Sequence, residues 1–148
     1  NILKTLKSRC LNFKISLSNK ESLDISDKLL NGELYRIINK DLVNYYSSPG
    51  NIYRLAKFGQ LNKYNLDKMS LKEFLKMIIK NNYYKKDNFI KFLVYDLIEF
   101  YFSKIDLSIN SKIYDRYNYF LKRISNTKKF NLDEDSFFIE FEEEILNG

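Results

Sequence analysis

The stretch Asp87–Lys104, D-N-F-I-K-F-L-V-Y-D-L-I-E-F-Y-F-S-K, indicates the fold class of this chain. Apolar residues recur at intervals of three and four, which is the spacing of one face of an α-helix. Asp87 is a residue type that caps the first turn of a helix. The predicted apolar face holds Ile90, Leu93, Val94, Leu97 and Tyr101, and Lys91, Tyr95 and Glu99 are expected on the opposite side. The stretch therefore predicts one amphipathic helix of a bundle.

Three more amphipathic segments belong to the same predicted bundle. The first follows Ser70-Leu71-Lys72-Glu73, the pattern of a capping box in which serine and glutamate satisfy the first backbone amides. The other two cover about Ser111–Asn126 and about Leu132–Leu146. Their expected core residues are Phe74, Leu75, Ile78 and Ile79 in the first, Ile113, Tyr117, Phe120, Leu121 and Ile124 in the second, and Phe138, Phe141 and Ile145 in the third.

A smaller unit of three helices is predicted upstream. A second capping box, Ser18-Asn19-Lys20-Glu21, begins the first helix. Ser48 and Pro49 are typical of the start of the third. The predicted ranges are 18 to about 30, closed by Asn31-Gly32, then 33 to 46 with a break near Asn39, and 49 to about 58. The polar run Gly59–Lys68 is the best candidate for a linker between the two units.

The segment Leu11–Leu17 differs from the rest because apolar and polar residues alternate in it. This period of two predicts a short β-strand. A single strand leaves its backbone groups unpaired, so it needs a sheet, and no second convincing strand is present. Since the chain also begins at Asn1, we expect residues 1–17 to be the edge of a larger domain that lies upstream.

The composition excludes several classes of site. The chain has 148 residues and no histidine, which rules out Cys/His zinc sites and Ser-His or Cys-His dyads within it. Cys10 is the single cysteine, so no internal disulfide can form. Glu142-Glu143-Glu144 lacks the spacing of an EF-hand and is interpreted as a solvated face. No apolar run of transmembrane length occurs, and the first residues do not predict a signal peptide, so we expect a cytoplasmic protein without metal or cofactor of its own.

The charge is uneven along the chain. The formal net charge is +6, but residues 131–148 carry seven acidic residues and no lysine or arginine, which leaves +13 on the rest. This surplus indicates a nucleic-acid partner, or only the Lys- and Asn-rich codon usage of an AT-rich genome. The acidic last helix is either an internal docking face or an edge that meets a partner. Tyr83-Tyr84-Lys85-Lys86 offers base-stacking rings beside cations, although tyrosines more often fill cores and helix junctions.

Two short motifs carry a resemblance to a known family. Leu3–Phe13 reads L-K-T-L-K-S-R-C-L-N-F, and Ser47–Tyr53 reads S-S-P-G-N-I-Y. With the order of elements around them, these segments resemble the clamp-loader branch of the AAA+ ATPases, and within it the delta-prime type. In that family an S-R-C segment ends the nucleotide-binding domain, a three-helix lid follows, and a helical collar closes the chain. Lys4 stands where the family often has proline, and Asn51 where it often has arginine.

The resemblance implies a division of the chain and a role for one arginine. Residues 1–17 would be the C-terminal edge of the AAA+ domain, residues 18–62 the lid and residues 63–148 a collar of four to five helices. Arg9 would be an arginine finger acting in trans on ATP held by a neighbouring subunit, with Ser8 and Cys10 positioning it. Asn51 lacks the charge of the family's sensor arginine, so the chain would not hydrolyse ATP of its own.

The implied partners are the tau/gamma and delta subunits, with the sliding clamp and primed DNA reached through the assembled loader. No membrane is implied, and the chain by itself would not be an enzyme. The competing interpretation is a basic helical module that binds nucleic acid or another protein.

Overall fold

The computed structural model of the chain describes residues 16–44, 47–104, 111–130 and 133–147. Within these ranges all regular structure is helical, which confirms the mainly α prediction. The helices are α1 (Asn19–Leu29), α2 (Leu34–Ile37), α3 (Pro49–Asn62), α4 (Leu71–Lys80), α5 (Tyr83–Lys86), α6 (Asn88–Lys104), α7 (Ser111–Phe130) and α8 (Glu134–Phe141). A 3₁₀ turn covers Lys40–Leu42, and a π-helical turn, Glu142–Leu146, extends α8. Most of the strand predicted at Leu11–Leu17 lies outside the described residues, and its last two positions have no regular structure.

Both predicted capping boxes are present. The Ser18 Oγ accepts from the Glu21 amide at 3.3 Å, and the Glu21 carboxylate accepts from the Ser18 amide at 2.8 Å. Ser70 and Glu73 repeat this geometry at the start of α4. In each pair the hydrogen bonds from the serine lower the pKa of the glutamate, because they favour its charged form. These local patterns therefore fix where α1 and α4 begin.

The prediction of a helix over residues 33–46 is wrong in length. α2 ends at Ile37, and Asn39 takes the extended conformation φ −62°, ψ 140°. Its Oδ1 accepts from the Asp41 amide at 3.0 Å, while its own amide donates to the Leu66 carbonyl at 2.9 Å. The break near Asn39 is thus confirmed, but a bond to a distant loop prevents the α-helix from resuming.

The run Gly59–Lys68 is partly helical and partly a packed loop. Its first four residues form the last turn of α3, and Lys63, directly after the helix, takes the left-handed conformation (φ 59°). The loop then turns back and buries Leu66 to 1% exposure. A Cβ on Gly59 would lie 2.7 Å from the Leu66 Cδ1, so the glycine allows this close approach. The polar composition of the run concealed a core contact.

The bundle is built around a cluster of buried rings. Phe120 on α7 lies 6.0 Å from Phe102 on α6 and 5.6 Å from Phe141 on α8, measured between ring centroids. The face predicted for α4 is confirmed, since all four of its apolar residues are buried. Phe58 on α3 joins the upstream helices to the bundle, with its ring edge-on to Phe74 at 6.4 Å and to Tyr83 at 5.1 Å.

The position predicted for Tyr95 is wrong. Expected on the outer side of α6, this residue is 1% exposed, with its ring 5.7 Å from Phe137 and 5.3 Å from Phe138. The reason is that α6 is covered on two sides, by α4 and by the C-terminal α8. The apolar face of α6 is therefore wider than the helical period alone indicated.

Candidate functional site

The predicted finger residue Arg9 and its neighbours Ser8 and Cys10 lie outside the described residues. Their proposed roles therefore remain predictions from the sequence.

The second motif forms the start of α3. Ser48 is its N-cap, with the Oγ accepting from the Asn51 amide at 3.2 Å, and Pro49 occupies the first turn. Asn51 is half-buried and lines a cavity of about 560 Å³ between α3 and α6. Among the described residues lining this cavity there are two carboxylates, Asp96 and Glu99, and no lysine or arginine.

The nearest arginine does not supply the charge that Asn51 lacks. Arg54 lies one turn further along α3, and its guanidinium carbon is 4.0 Å from the centroid of the Phe89 ring on α6. It is thus stacked on the bundle, away from the cavity beside Asn51. Among the described residues, the first turn of α3 therefore places no cation beside that cavity.

The acidic C-terminal helix docks on the basic body of the same chain. At its first turn the Tyr84 hydroxyl donates to the Asp135 Oδ1 at 2.8 Å, and the Lys85 Nζ pairs with the other carboxylate oxygen. The hydrogen bond from Lys85, and to a smaller extent the one from Tyr84, lowers the pKa of Asp135, because both favour the charged carboxylate. The neighbouring Glu134 pairs with the Lys91 Nζ at 2.7 Å and accepts from the buried Tyr95 hydroxyl at 3.3 Å.

The other end of this helix is held by α7. Glu140 lies 3.3 Å from the Arg123 guanidinium and accepts from the Tyr119 hydroxyl at 2.7 Å. Glu144 lies 3.9 Å from the Arg116 guanidinium. Of the two interpretations of the acidic segment, the internal docking face is therefore the one that these contacts support. The side chains of these pairs are between 24% and 53% exposed, so the pairs orient the helix more than they stabilise it.

The segment Tyr83-Tyr84-Lys85-Lys86 divides between two surfaces. Tyr84 is 4% exposed and packs on Phe138 at 4.3 Å, which confirms the interpretation of this ring as a core residue. Tyr84 and Lys85 face Asp135, as described above. Tyr83 and Lys86 turn instead toward α3, with the Lys86 Nζ 5.0 Å from the centroid of the Tyr83 ring.

On that side the residues form a groove of about 430 Å³ between α3 and the α5–α6 corner. We call it the basic groove, and its principal residues are Arg54, Lys57, Leu61, Tyr83, Lys86 and Phe89. A partial signal for this groove is present in the sequence. Positions 54, 57 and 61 recur at the period of one helical face, but nothing in the sequence indicated that this face meets Lys86 and Phe89.

No protein-family model matches the chain, and comparisons with curated proteins and with solved structures find no match either. Across the described ranges, no helix is both long and apolar enough to cross a membrane. The same ranges hold no cluster of three or more Asp, Glu, Cys or His side chains arranged for a metal ion.

Proposed function

We propose that the chain is a delta-prime-like subunit of a bacterial clamp loader, which helps to place the sliding clamp on primed DNA. The observation that carries the proposal is the S-R-C motif at Ser8-Arg9-Cys10, followed along the chain by a helix that begins at Ser48-Pro49 and then by a helical bundle. In this proposal residues 18–62 form the lid and residues 63–148 the collar that holds the subunits in a ring.

Arg9 is the residue that acts chemically. Its planar, permanently charged guanidinium can donate two parallel hydrogen bonds to phosphate oxygens, which the ammonium group of lysine cannot do. Placed across a subunit boundary, it stabilises the charge that develops as the γ-phosphate of the neighbour's ATP is transferred to water. Arginine fingers of this kind raise the turnover number of nucleoside triphosphatases by a factor of roughly 10³–10⁵. Ser8 and Cys10 are small, and they let the backbone carrying Arg9 approach the boundary closely.

Two features support a subunit that assists and does not itself hydrolyse ATP. Asn51 carries no charge at the place where the family often has its sensor arginine. Arg54 is stacked on Phe89, so it is not positioned as a substitute. The chain therefore donates its arginine to a tau/gamma neighbour and holds no ATP of its own in this proposal.

The test is ATP turnover by a loader reconstituted with tau/gamma and delta. We expect Arg9→Ala and Arg9→Lys to abolish hydrolysis at the neighbouring site, measured in a single turnover, while the complex still assembles. Arg36→Ala is the matched control, since Arg36 is 83% exposed and its ion pair among the described residues is a 3.5 Å contact with the exposed Glu33. Unchanged hydrolysis in the Arg9 variants would exclude the finger role, and failure of the chain to assemble with tau/gamma and delta would exclude the family assignment.

A second candidate function is a basic helical module that binds nucleic acid. The observation in its favour is the basic groove, whose described lining residues include Arg54, Lys57 and Lys86. A protein-interaction module is the remaining form of this alternative. Binding measured on the chain alone, without the other loader subunits, separates it from the clamp-loader proposal.

A further inference from the structure

We propose that the basic groove is a binding site for single-stranded nucleic acid, with Arg54, Lys57 and Lys86 holding consecutive phosphates. The inference goes beyond the arginine-finger role and does not depend on it. It rests on the charges that line the groove, on the rings that hold those charges, and on an exposed apolar side chain at its rim.

No described carboxylate neutralises the three cations of the groove. None of them takes part in a salt bridge among the described residues, in contrast to Lys85, Lys91 and the two paired arginines of α7. Among the described residues that line the groove there is one carboxylate, that of Asp87, and its Oδ1 accepts from the Phe89 amide at 2.7 Å as a helix cap. The acidic helix thus neutralises one side of the basic body and leaves this side positive. Lysine and arginine side chains on such a surface release the counterions condensed on a nucleic-acid backbone, which favours binding.

Aromatic rings hold the cations in place. The Arg54 guanidinium lies over Phe89 at 4.0 Å, and the Lys86 Nζ over Tyr83 at 5.0 Å. The Lys57 Nζ lies 5.5 Å from the centroid of the Tyr53 ring on the same helix. Cation–π contacts restrict long side chains without neutralising them, so less entropy is lost when phosphates bind.

The walls of the groove are held together by contacts of Tyr83 on α5 with α3 and with the loop that follows α3. The Tyr83 hydroxyl donates to the Asn62 Oδ1 at 3.2 Å and lies 3.1 Å from the Tyr64 hydroxyl. Phe58 packs edge-on against the Tyr83 ring at 5.1 Å. The spacing of the cations is thus set by two helices that are packed together and not by a loop.

Leu61 indicates a single strand in preference to a duplex. It lies at the rim and is 81% exposed, the largest value among the exposed large apolar side chains of the described residues. A single strand can lay an unstacked base on an apolar surface of this kind, whereas duplex bases are buried in their own stack. The combination of phosphate-binding cations with an apolar rim therefore fits a single strand.

An acidic peptide is the rival occupant. The contact of Asp135 on the other side of α5 shows how this chain binds a carboxylate. There a lysine contacts one carboxylate oxygen and a tyrosine hydroxyl donates to the other. In the basic groove the Tyr83 hydroxyl donates to the Asn62 Oδ1 and lies 3.1 Å from the Tyr64 hydroxyl, so two partners within the chain compete with a carboxylate for it. The groove therefore offers mainly cations to an occupant, which suits phosphates held by charge.

Fluorescence anisotropy with a labelled 20-nucleotide oligo-dT and the 148-residue chain tests the proposal. Three phosphate contacts on a single strand give a slope of about −2 for log K against log salt concentration. Binding should accordingly weaken about 20-fold between about 50 and 200 mM salt. The triple variant Arg54→Gln, Lys57→Gln, Lys86→Gln should bind at least about 10-fold more weakly at the lower salt concentration, with a slope near zero.

The matched control is the triple variant Lys28→Gln, Lys72→Gln, Lys80→Gln, which removes the same charge from exposed positions away from the groove. We expect it to keep the affinity and slope of the unaltered chain, and circular dichroism checks that both triple variants fold. Equal weakening in the two triple variants would overturn the proposal, because net charge alone would then explain binding. Equally tight binding of a duplex, displacement of the oligonucleotide by poly-glutamate at equal charge, or no binding of oligo-dT would also overturn it.

Discussion

The hydrogen bond between Tyr84 and Asp135 offers a sharp test of how the acidic helix is docked. In Tyr84→Phe the ring keeps its contact with Phe138 at 4.3 Å, and only the hydroxyl, 2.8 Å from the Asp135 carboxylate, is lost. Hydrogen bonds to charged groups contribute about 1.5–3 kcal/mol. The Asp135 side chain is 44% exposed and keeps its lysine partner, so we expect the lower end of that range, about 1.5 kcal/mol.

For a chain of this length each kcal/mol shifts the melting temperature by about 2–4 °C, so the expected loss is about 3–6 °C. Thermal and urea unfolding, both followed by circular dichroism at pH 7, measure it. The double variant Tyr84→Phe, Asp135→Asn completes a thermodynamic cycle, and Tyr84→Phe should cost less when Asp135 has already been replaced.

Tyr119→Phe is the matched control, because Tyr119 makes the same kind of bond at a surface position. Its hydroxyl donates to Glu140 at 2.7 Å, but the residue is 44% exposed and water can replace the bond. We expect a change within about 0.5 kcal/mol. If both variants lose the same free energy of unfolding, or if Tyr84→Phe loses none, the buried hydrogen bond between α5 and α8 does not explain how the acidic helix is held.

Two further perturbations test the core. Phe120→Ala should lower the free energy of unfolding by about 3–5 kcal/mol, because it leaves a cavity at a side chain that is 0% exposed. Phe92 is 60% exposed, so Phe92→Ala should change the free energy of unfolding by less than about 0.5 kcal/mol. Similar losses for the two variants in urea unfolding would contradict the assigned core. Burial and the adjacent carboxylates raise the pKa of the Tyr84 and Tyr95 hydroxyls above the ordinary value of 10.0. The folded chain then holds more protons than the unfolded chain as the pH rises past about 10, so stability should fall in that range. The fall in urea unfolding should be shallower in the Tyr84→Phe, Tyr95→Phe double variant, and an identical pH profile would count against buried tyrosines as its cause.

The clamp-loader proposal and the basic-groove proposal can fail separately. The first depends on Arg9 and on assembly with other subunits. The second depends on Arg54, Lys57 and Lys86 and is measured on the chain alone. A chain that binds oligo-dT but does not assemble with the loader would be a nucleic-acid module, and the opposite result would leave the clamp-loader role as the function of this fold.

Local signals in the sequence were sufficient for the ends of several helices. Ser18 and Ser70 with their glutamates, Ser48 before Pro49, and Asp87 all act on amides within three or four residues of themselves, and the structure has each as predicted. The apolar face of α4 was also predictable, because a helix packed on one side buries a stripe that its own period defines.

Interactions between distant residues decided the rest. The α-helix α2 does not continue through Asn39, because the amide of Asn39 donates to the Leu66 carbonyl. Tyr95 is buried because α8 packs on the side of α6 that the helical period predicts to be exposed. Tyr84 and Asp135 stand 51 positions apart, and no periodicity relates them.

A helical fold, the caps that begin its helices and the resemblance to a clamp-loader motif follow from local patterns of residues. Which lysines the acidic helix neutralises follows instead from how the helices pack together. Lys85 and Lys86 are adjacent in sequence and identical in chemistry, yet one pairs with Asp135 and the other lines the basic groove. The physical reason is that neighbouring residues on a helix project about 100° apart, so the packing of α3 and α8 on either side of α5 assigns each lysine its surroundings.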